Sequence, residues 1–491
     1  MPTVEDIINI GFNNHQGGKL EDAEIAYLEA LKLDCENAEA CNLMGVLKLQ
    51  QNDVDSAIDW VEKAVNRKPC EYFYETLFQT YIRGGKFDKI IECEPFVLKD
   101  FSKNFSLLFN IALAYKNLKN NKKAIEFYDR ALKINPTSYQ AWFNLANVYN
   151  IENQAKKAVS ALKICRKLRP NDSETEYYLS IALMRAKKYD EGLKFFENRA
   201  SKEIAVMSQA KTYPNLAAPE KLWKGENIKN KTIFVYSEAG FGDVIMFSRY
   251  LPLLKKKCKK LIFAPQKPLV SLFENNNLGI DEIVDGFIPE QNMSFDVHAP
   301  ILSLPYLLGL KGSDVFYNNE NYFFADEALV NKFKKKFFDH KEFKIGIKWQ
   351  GNTFYDKDRV IPTKAFIPLF ETKGTKFYSF QTFEGSEEFK KLEQFDVTDI
   401  GSELIDFKQT AAALKNLDLV ICNDTSLAHL AGAMGIPCIV VLPYEVNWRW
   451  HEDLSKCDWY RSVKLFRQKS IGDWDAVFEE VKNFVNSNFI K

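Results

Sequence analysis

Two short segments of this chain carry side chains whose types and spacing suit chemistry on an anionic ligand. The first, Asn423-Asp424-Thr425-Ser426, ends an apolar run at residues 417–422 and opens a run with helical spacing: Leu427, Leu430, Ala431 and Met434. A helix that starts at Thr425 or Ser426 offers free backbone N–H groups and the positive end of its dipole, which favour a phosphate. The same residue types serve equally well as helix N-caps. The second segment is Glu238-Ala239-Gly240-Phe241-Gly242-Asp243, followed by Val244, Ile245, Phe247, Leu251 and Leu254 at helical spacing. Gly240 and Gly242 let the backbone turn tightly and approach a ligand. Asp243, kept ionised at a helix start, suits a general base that takes a proton from an attacking hydroxyl. A dinucleotide fingerprint is excluded, because its third glycine is missing and a carboxylate at 243 repels phosphate. As a plain helix cap, Asp243 would need no ligand at all.

The elements around these segments read as doubly wound α/β architecture, with strand-like runs alternating with helical ones from about residue 220. Residues 232–237, 261–264 and 282–284 form one series of strands; residues 344–349, 376–380, 417–422 and 438–442 form a second. Two series imply two Rossmann-like lobes, at 232–325 and 343–491, with a seam near 325–342. A ligand then binds between them, where the carboxyl ends of both sheets face each other.

Upstream, residues 1–200 repeat themselves. Gly11, Gly45, Ala112, Ala146 and Ser180 recur at 33- or 34-residue spacing, with Phe78 standing in the third copy. Twelve positions later come Ala23, Ala57, Ile90, Ala124, Ala158 and Gly192, and Pro69, Pro136 and Pro170 close their copies. This pattern resembles the tetratricopeptide repeat, in about six copies, with small residues where paired helices cross and Pro where the second helix stops. Phe78 and Ile90 mark the third copy as a site of local distortion. Stacked repeats present a concave surface that holds a peptide or protein partner, or packs on a neighbouring domain. Residues 201–231 read as a linker. The fold class is therefore α + α/β: a helical-repeat solenoid followed by two Rossmann-like lobes.

Composition narrows the function classes. Lys plus Arg and Asp plus Glu number 66 each, so no global field draws the chain to nucleic acid or to an anionic membrane. Lysine runs at 255–260 and 334–336 sit at the ends of helical segments, where they complement the dipole. No apolar run approaches the roughly 20 residues of a membrane span. The first residues lack the pattern of a signal peptide. Nine cysteines without a C-x-x-C pair suggest neither disulfides nor zinc, and fit a cytoplasmic setting.

Gly242-Asp243-Val244-Ile245, Asn423-Asp424-Thr425-Ser426-x-x-His429 and Ala433-x-Gly435-x-Pro437 together resemble the ADP-heptose:lipopolysaccharide heptosyltransferase family. More closely, residues 220–491 resemble the heptosyltransferase-like domain fused to tetratricopeptide repeats in bacteria. Leu222-Trp223-Lys224-Gly225-Glu226, His298-Ala299-Pro300, Trp448-Arg449-Trp450 and Leu465-Phe466-Arg467-Gln468 extend that resemblance along the region. It implies an inverting, two-lobed (GT-B) glycosyltransferase using a nucleotide-diphosphate sugar, with no metal and no other cofactor. Its acceptor would be a protein or glycan presented by the repeats.

By the same resemblance Asp243 is the base, while Asp424, Thr425 and Ser426 hold the sugar hydroxyls and the diphosphate. Ser426 departs from the glycine common at that position. Leaving-group charge then needs a cation. Arg359 is the first choice, since a guanidinium grips phosphate with two bonds; Lys348, ending the preceding strand, and Asn352, in the loop before Arg359, are assigned with it to the donor. Gln381 is assigned to the nucleotide and Glu384 to a ribose. His429 is either a pocket residue or a structural histidine. His298 suits core and cleft equally, and the Trp448-Arg449-Trp450 cluster suits sugar stacking or packing between lobes. The Asp356-Lys357-Asp358 spacing of metal-dependent transferases reads as coincidence. The competing function is a repeat scaffold whose nucleotide-sugar domain is catalytically inactive.

Overall fold

The computed structural model describes residues 2–201, 219–284, 294–317, 321–352, 357–445, 447–454 and 456–490. The chain folds as two compact units, Met1–Pro170 and Asn171–Lys491.

The first unit is built of helical hairpins: Val4–Gln16 with Leu20–Leu33, Ala38–Gln50 with Val54–Arg67, Phe105–Asn117 with Asn121–Ile134, and Tyr139–Ile151 with Ala155–Leu168. Many helices open on a side-chain cap: Asn37, Asp53, Asn104, Asn120 and Ser138 each accept a backbone N–H three residues on. Between the two helices of each hairpin sits one residue with left-handed backbone: Gly18, Asn52, Gly85, Lys119 and Asn153. These turns recur in phase with the small residues, a periodicity that side-chain character alone conceals. In the third copy the second helix is broken into Phe87–Glu92 and Glu94–Asp100, with Pro95 at the start of the latter. Phe78 and Ile90 are both fully buried there. Bulky residues at the crossing thus coincide with an interrupted helix.

The second unit begins with a sixth hairpin, Ser173–Arg185 with Tyr189–Phe196, joined by Lys187 in the same left-handed turn. Two parallel sheets follow. The first contains β1 (Thr232–Tyr236), β2 (Lys260–Ala264), β3 (Glu282–Ile283) and β4 (Val297–Pro300), in the order β3-β2-β1-β4. The second contains β5 (Phe343–Lys348), β6 (Thr375–Ser379), β7 (Val397–Asp399), β8 (Leu419–Cys422), β9 (Cys438–Leu442) and β10 (Val463–Arg467), in the order β10-β9-β8-β5-β6-β7. All the strand pairs are parallel. β9 is buried along its whole length, as the apolar run predicts for a sheet covered on both faces. β7 and β10 carry no comparable run: β7 is half-buried and β10 alternates with exposed Lys464. His298 lies within β4 and is buried.

Strand order reverses between β1 and β4 in the first sheet and between β5 and β8 in the second. Ligands of open α/β sheets bind at such switch points, outside the carboxyl ends of the strands. The Glu238–Asp243 segment leaves β1, and the Asn423–Ser426 segment leaves β8. Topology alone therefore puts both sequence-derived segments at the two places where a ligand is expected.

Gly45 reports on the hairpin crossing, because a Cβ there would run into the Val61 side chain and lie 3.2 Å from the Ala57 carbonyl oxygen. Gly45→Ala is expected to destabilise the first unit by about 1–3 kcal/mol through overpacking. Urea unfolding followed by circular dichroism measures this as a lowered midpoint.

Candidate active site

Ser426–Ala433 forms the helix after β8, with Thr425 as its extended N-terminal residue. No side chain caps this helix. The Thr425 hydroxyl is buried and, like the Asn423 carboxamide oxygen, has no hydrogen-bond partner. Orphaned buried acceptors are costly, and they cluster where a ligand completes the bonding. The Thr425 hydroxyl makes no cap bond to its own helix. Gly351 lies against Thr425, where a Cβ would come within 3.1 Å of the Thr425 methyl group.

Asp424 is nearly enclosed and receives Arg359 Nη1 at 3.4 Å, while the same nitrogen reaches the Asp424 carbonyl at 3.3 Å. Asn423 Nδ2 donates in turn to the Arg359 carbonyl at 2.9 Å. Arg359 and the 423–426 segment are therefore one assembly, with the guanidinium about a quarter exposed. Lys348, at the carboxyl end of β5, is deeply buried and donates to the Phe380 carbonyl at 3.1 Å and to Thr382 Oγ1 at 3.4 Å. Burial holds its ammonium down to about 8, so it still carries most of its charge at neutral pH.

Gln381 is committed to the protein. Its Oε1 accepts the N–H groups of Trp349 and Gln350, and its Nε2 donates to the carbonyls of Gln350 and Glu384. It stitches the loops after β5 and β6 together. Asn352 and Glu384 are exposed on those loops, and Asp358 lies in the turn carrying Arg359. Asp356 lies outside the described residues, so the Asp356-x-Asp358 pair has no geometry here.

On the other lobe, the helix Phe241–Phe247 begins at Gly240, whose N–H donates to Asp243 Oδ2 at 3.3 Å. Asp243 caps its helix and is largely buried. Its other oxygen receives Arg449 Nε at 2.7 Å and also Arg449 Nη2, from the loop after β9 of the second lobe. Arg449 Nη1 donates to Asn447 Oδ1 at 2.7 Å, and the guanidinium lies 4.5 Å above the Trp448 ring. Sequence reasoning singled out the Trp448-Arg449-Trp450 cluster but not this pairing, which spans 206 residues.

The two helix starts touch. A Cβ on Gly242 would meet His429 Cδ2 at 2.6 Å and Ser426 Cα at 3.4 Å, so only glycine permits this approach. His429 Nδ1 pairs with the Tyr460 hydroxyl at 3.1 Å, and its ring stacks on Trp450 with centroids 4.9 Å apart. Its Nε2 stands 4.0 Å from Asp424 Oδ1. His429 is thus packed as a core residue with one ring nitrogen turned towards Asp424. Nearby, Arg249 is completely buried, donating to the carbonyls of Met246 (2.9 Å) and Trp459 (3.0 Å) and to the Tyr322 hydroxyl (3.3 Å). The rings of Tyr322, Trp459 and Tyr460 surround it within 5.4 Å. These cation–π contacts tie Arg249 of the first lobe to Trp459 and Tyr460 of the second.

The sixth hairpin is tied to the same elbow. Arg199 Nε and Nη2 grip Glu238 at 3.1 and 2.6 Å, and Nη2 also reaches Ser303 Oγ at 2.8 Å. Glu238 precedes Ala239, which holds a left-handed backbone (φ 61°). An alanine in that region stores strain, and such strain gathers at functional loops.

The class is thus a helical-repeat protein carrying a two-lobed α/β domain, with a buried, unpartnered hydroxyl at one helix start and a carboxylate at the other. Comparison with known proteins makes the class specific. Family models described as "Tetratricopeptide repeat" match residues 16–69, 105–138 and 127–160, and one described as "Glycosyltransferase family 9 (heptosyltransferase)" matches residues 387–446. The chain is thus similar to tetratricopeptide-repeat proteins in its first unit and to glycosyltransferase family 9 over residues 387–446.

It is 24% identical over 394 residues to Protein FlbA of Caulobacter vibrioides, a match covering 74% of this chain and 64% of FlbA. It is 26% identical over 147 residues to the BBSome complex member BBS4 of Bos taurus, covering 30% of this chain and 28% of BBS4. The chain thus spans less than two thirds of the length of either relative. A solved glycosyltransferase family 9 structure from Veillonella parvula aligns over 53% of this chain and 98% of its own, with 15% identity and a TM-score of 0.42. Among the described residues no helix is long and apolar enough to cross a membrane.

Burial holds His429 down to about 4; Asp424 and Asp243 oppose the shift, and Arg449 and Arg249 add to it. His451, buried near Lys187, Asp458 and Asp453, is likewise held at about 4. Both rings are neutral when folded, whereas an unfolded histidine takes a proton near 6.5. The unfolded state then binds more protons between these values, so stability is full above 6.5 and is lost as pH falls towards 4. Denaturation midpoints measured across this window should fall on acidification, and less so in a His429→Gln variant.

Proposed function

We propose that this protein is an inverting, metal-independent glycosyltransferase that moves a sugar from a nucleotide-diphosphate sugar to a protein or glycan acceptor. The observation that carries this reading is the direct apposition of two helix starts at Gly242 and Ser426, one bearing Asp243 and the other an unpartnered Thr425 hydroxyl. The diphosphate sits at the Ser426 helix start, against backbone N–H groups and the Thr425 hydroxyl. Arg359 and Lys348 supply positive charge on that side. Asp424 orients Arg359 and the sugar hydroxyls, and the loops after β5 and β6, including Asn352 and Glu384, flank the nucleoside.

Transfer is a single displacement. The acceptor oxygen attacks the anomeric carbon from the Asp243 side as the bond from that carbon to the diphosphate oxygen breaks. The nucleoside diphosphate leaves with the bonding electrons, and the acceptor proton passes to the Asp243 carboxylate. Attack opposite the leaving group inverts the anomeric centre. The repeats would present the acceptor, and nine free thiols support a reducing, cytoplasmic setting.

One observation favours a second reading, a repeat scaffold with an inactive sugar-nucleotide domain: both Asp243 oxygens are already engaged, by Arg449 and by the Gly240 N–H. Turnover separates the two. With a panel of nucleotide sugars, Asp243→Asn is expected to lower donor turnover by about 10²–10⁴-fold while nucleotide binding persists. Equal turnover in wild type and variant would remove Asp243 as the base. No turnover with any donor would favour the scaffold.

A further inference from the structure

The Asp243–Arg449 pair poses a chemical problem. A general base needs both a lone pair and basicity, yet Arg449 Nε and Nη2 both bind Asp243 Oδ1 and Oδ2 accepts the Gly240 N–H, so three of about four acceptor positions are filled and the guanidinium offsets the carboxylate's charge. Arg449 comes from the opposite lobe, so the pair also bridges the cleft. Its guanidinium is set on a fixed aromatic base: Trp448 lies beneath it at 4.5 Å and packs edge-on against Phe196 and Phe247. Asn447 holds the remaining nitrogen, Nη1.

The seat for an anion is adjacent. Gly242, the residue before Asp243, lies against Ser426 Cα at the start of the eight-residue helix Ser426–Ala433. That start also carries the buried Thr425 hydroxyl, which lacks a partner. A diphosphate placed there brings at least two negative charges beside a guanidinium whose present partner carries one. Planar guanidinium also matches phosphate oxygens with paired donors.

We propose that Arg449 is a catalytic residue that exchanges partners: it leaves Asp243 for the donor's diphosphate, and that departure frees the carboxylate to act as base. This rests on the glycosyl-transfer reading given above. One residue thereby performs two tasks. It neutralises the leaving group, and it withholds the base until a donor occupies the cleft. Acceptor deprotonation is then coupled to donor binding, and in an empty site the base stays masked.

The exchange has a thermodynamic signature. If Asp243 and the diphosphate compete for one guanidinium, removing the carboxylate's charge must strengthen anion binding, and only while Arg449 is present. The test is calorimetric titration of the full chain with inorganic pyrophosphate and with ADP, UDP, GDP and CDP. Proteins are wild type, Asp243→Asn, Arg449→Gln, Arg449→Lys and the Asp243→Asn/Arg449→Gln double variant. Asp243→Asn is expected to tighten binding of the best probe about tenfold, and Arg449→Gln to weaken it by about as much. Arg449→Lys should fall between, and in the Arg449→Gln background the gain from Asp243→Asn should vanish.

A gain in affinity cannot arise from misfolding, so the Asp243→Asn arm stays informative even if an Arg449 variant is unstable. Binding that is indifferent to Arg449, or that Asp243→Asn weakens, overturns the exchange and leaves the glycosyl-transfer reading standing. Failure of every probe to bind wild type overturns both.

Discussion

The close approach of two helix starts, with Gly242 against Ser426 and His429, is the constraint on which the functional half of this protein depends. Two positive dipole ends brought together repel each other, and each exposes unsatisfied backbone donors. The protein meets that cost with carboxylates. Asp243 closes one helix start through the Gly240 N–H, and Asp424 stands beside the other. Arg449 and Arg359 then balance the carboxylates, and His429 is kept neutral between them. The result is a compact alternation of charges across the two helix starts.

Holding that alternation in place requires lobes that do not slide past each other. The aromatic enclosure of Arg249, drawn from Tyr322, Trp459 and Tyr460, supplies a packed joint between them. A guanidinium satisfied by carbonyls, a hydroxyl and ring faces is an oriented anchor that draws on none of the nearby carboxylates. Tyr460 serves twice, since its ring needs the bare backbone of Gly432 and its hydroxyl fixes the His429 ring.

The parts of this arrangement that follow local rules were legible in the sequence. The repeats announced themselves through small residues at 34-residue spacing, and β1, β5, β8 and β9 through apolar runs ending in polar elbows. β7 and β10 were not legible, because a half-buried edge strand lacks the continuous apolar run by which central strands are recognised. At the site, Asp243, Asp424, Thr425 and Arg359 could be singled out, since each lies at or near an elbow whose chemistry is local. The Arg449 partnership was hidden, as a pairing between distant segments leaves no periodicity in either. Gln381 shows the opposite effect: a polar residue at a strand end looks available from sequence, yet here the neighbouring loops consume all its bonding capacity.

The anchoring of the sixth hairpin through Arg199 and Glu238 has a consequence for how the chain divides. The residue it grips is next to the strained Ala239 and five positions before Asp243, so this repeat is a structural member of the α/β unit rather than of the array it resembles. A change at Arg199 therefore acts on the elbow directly, although the sequence around it looks like one more repeat. The boundary of the compact unit falls inside the repeats, at Asn171, so repetition in sequence and independence in the fold end at different places.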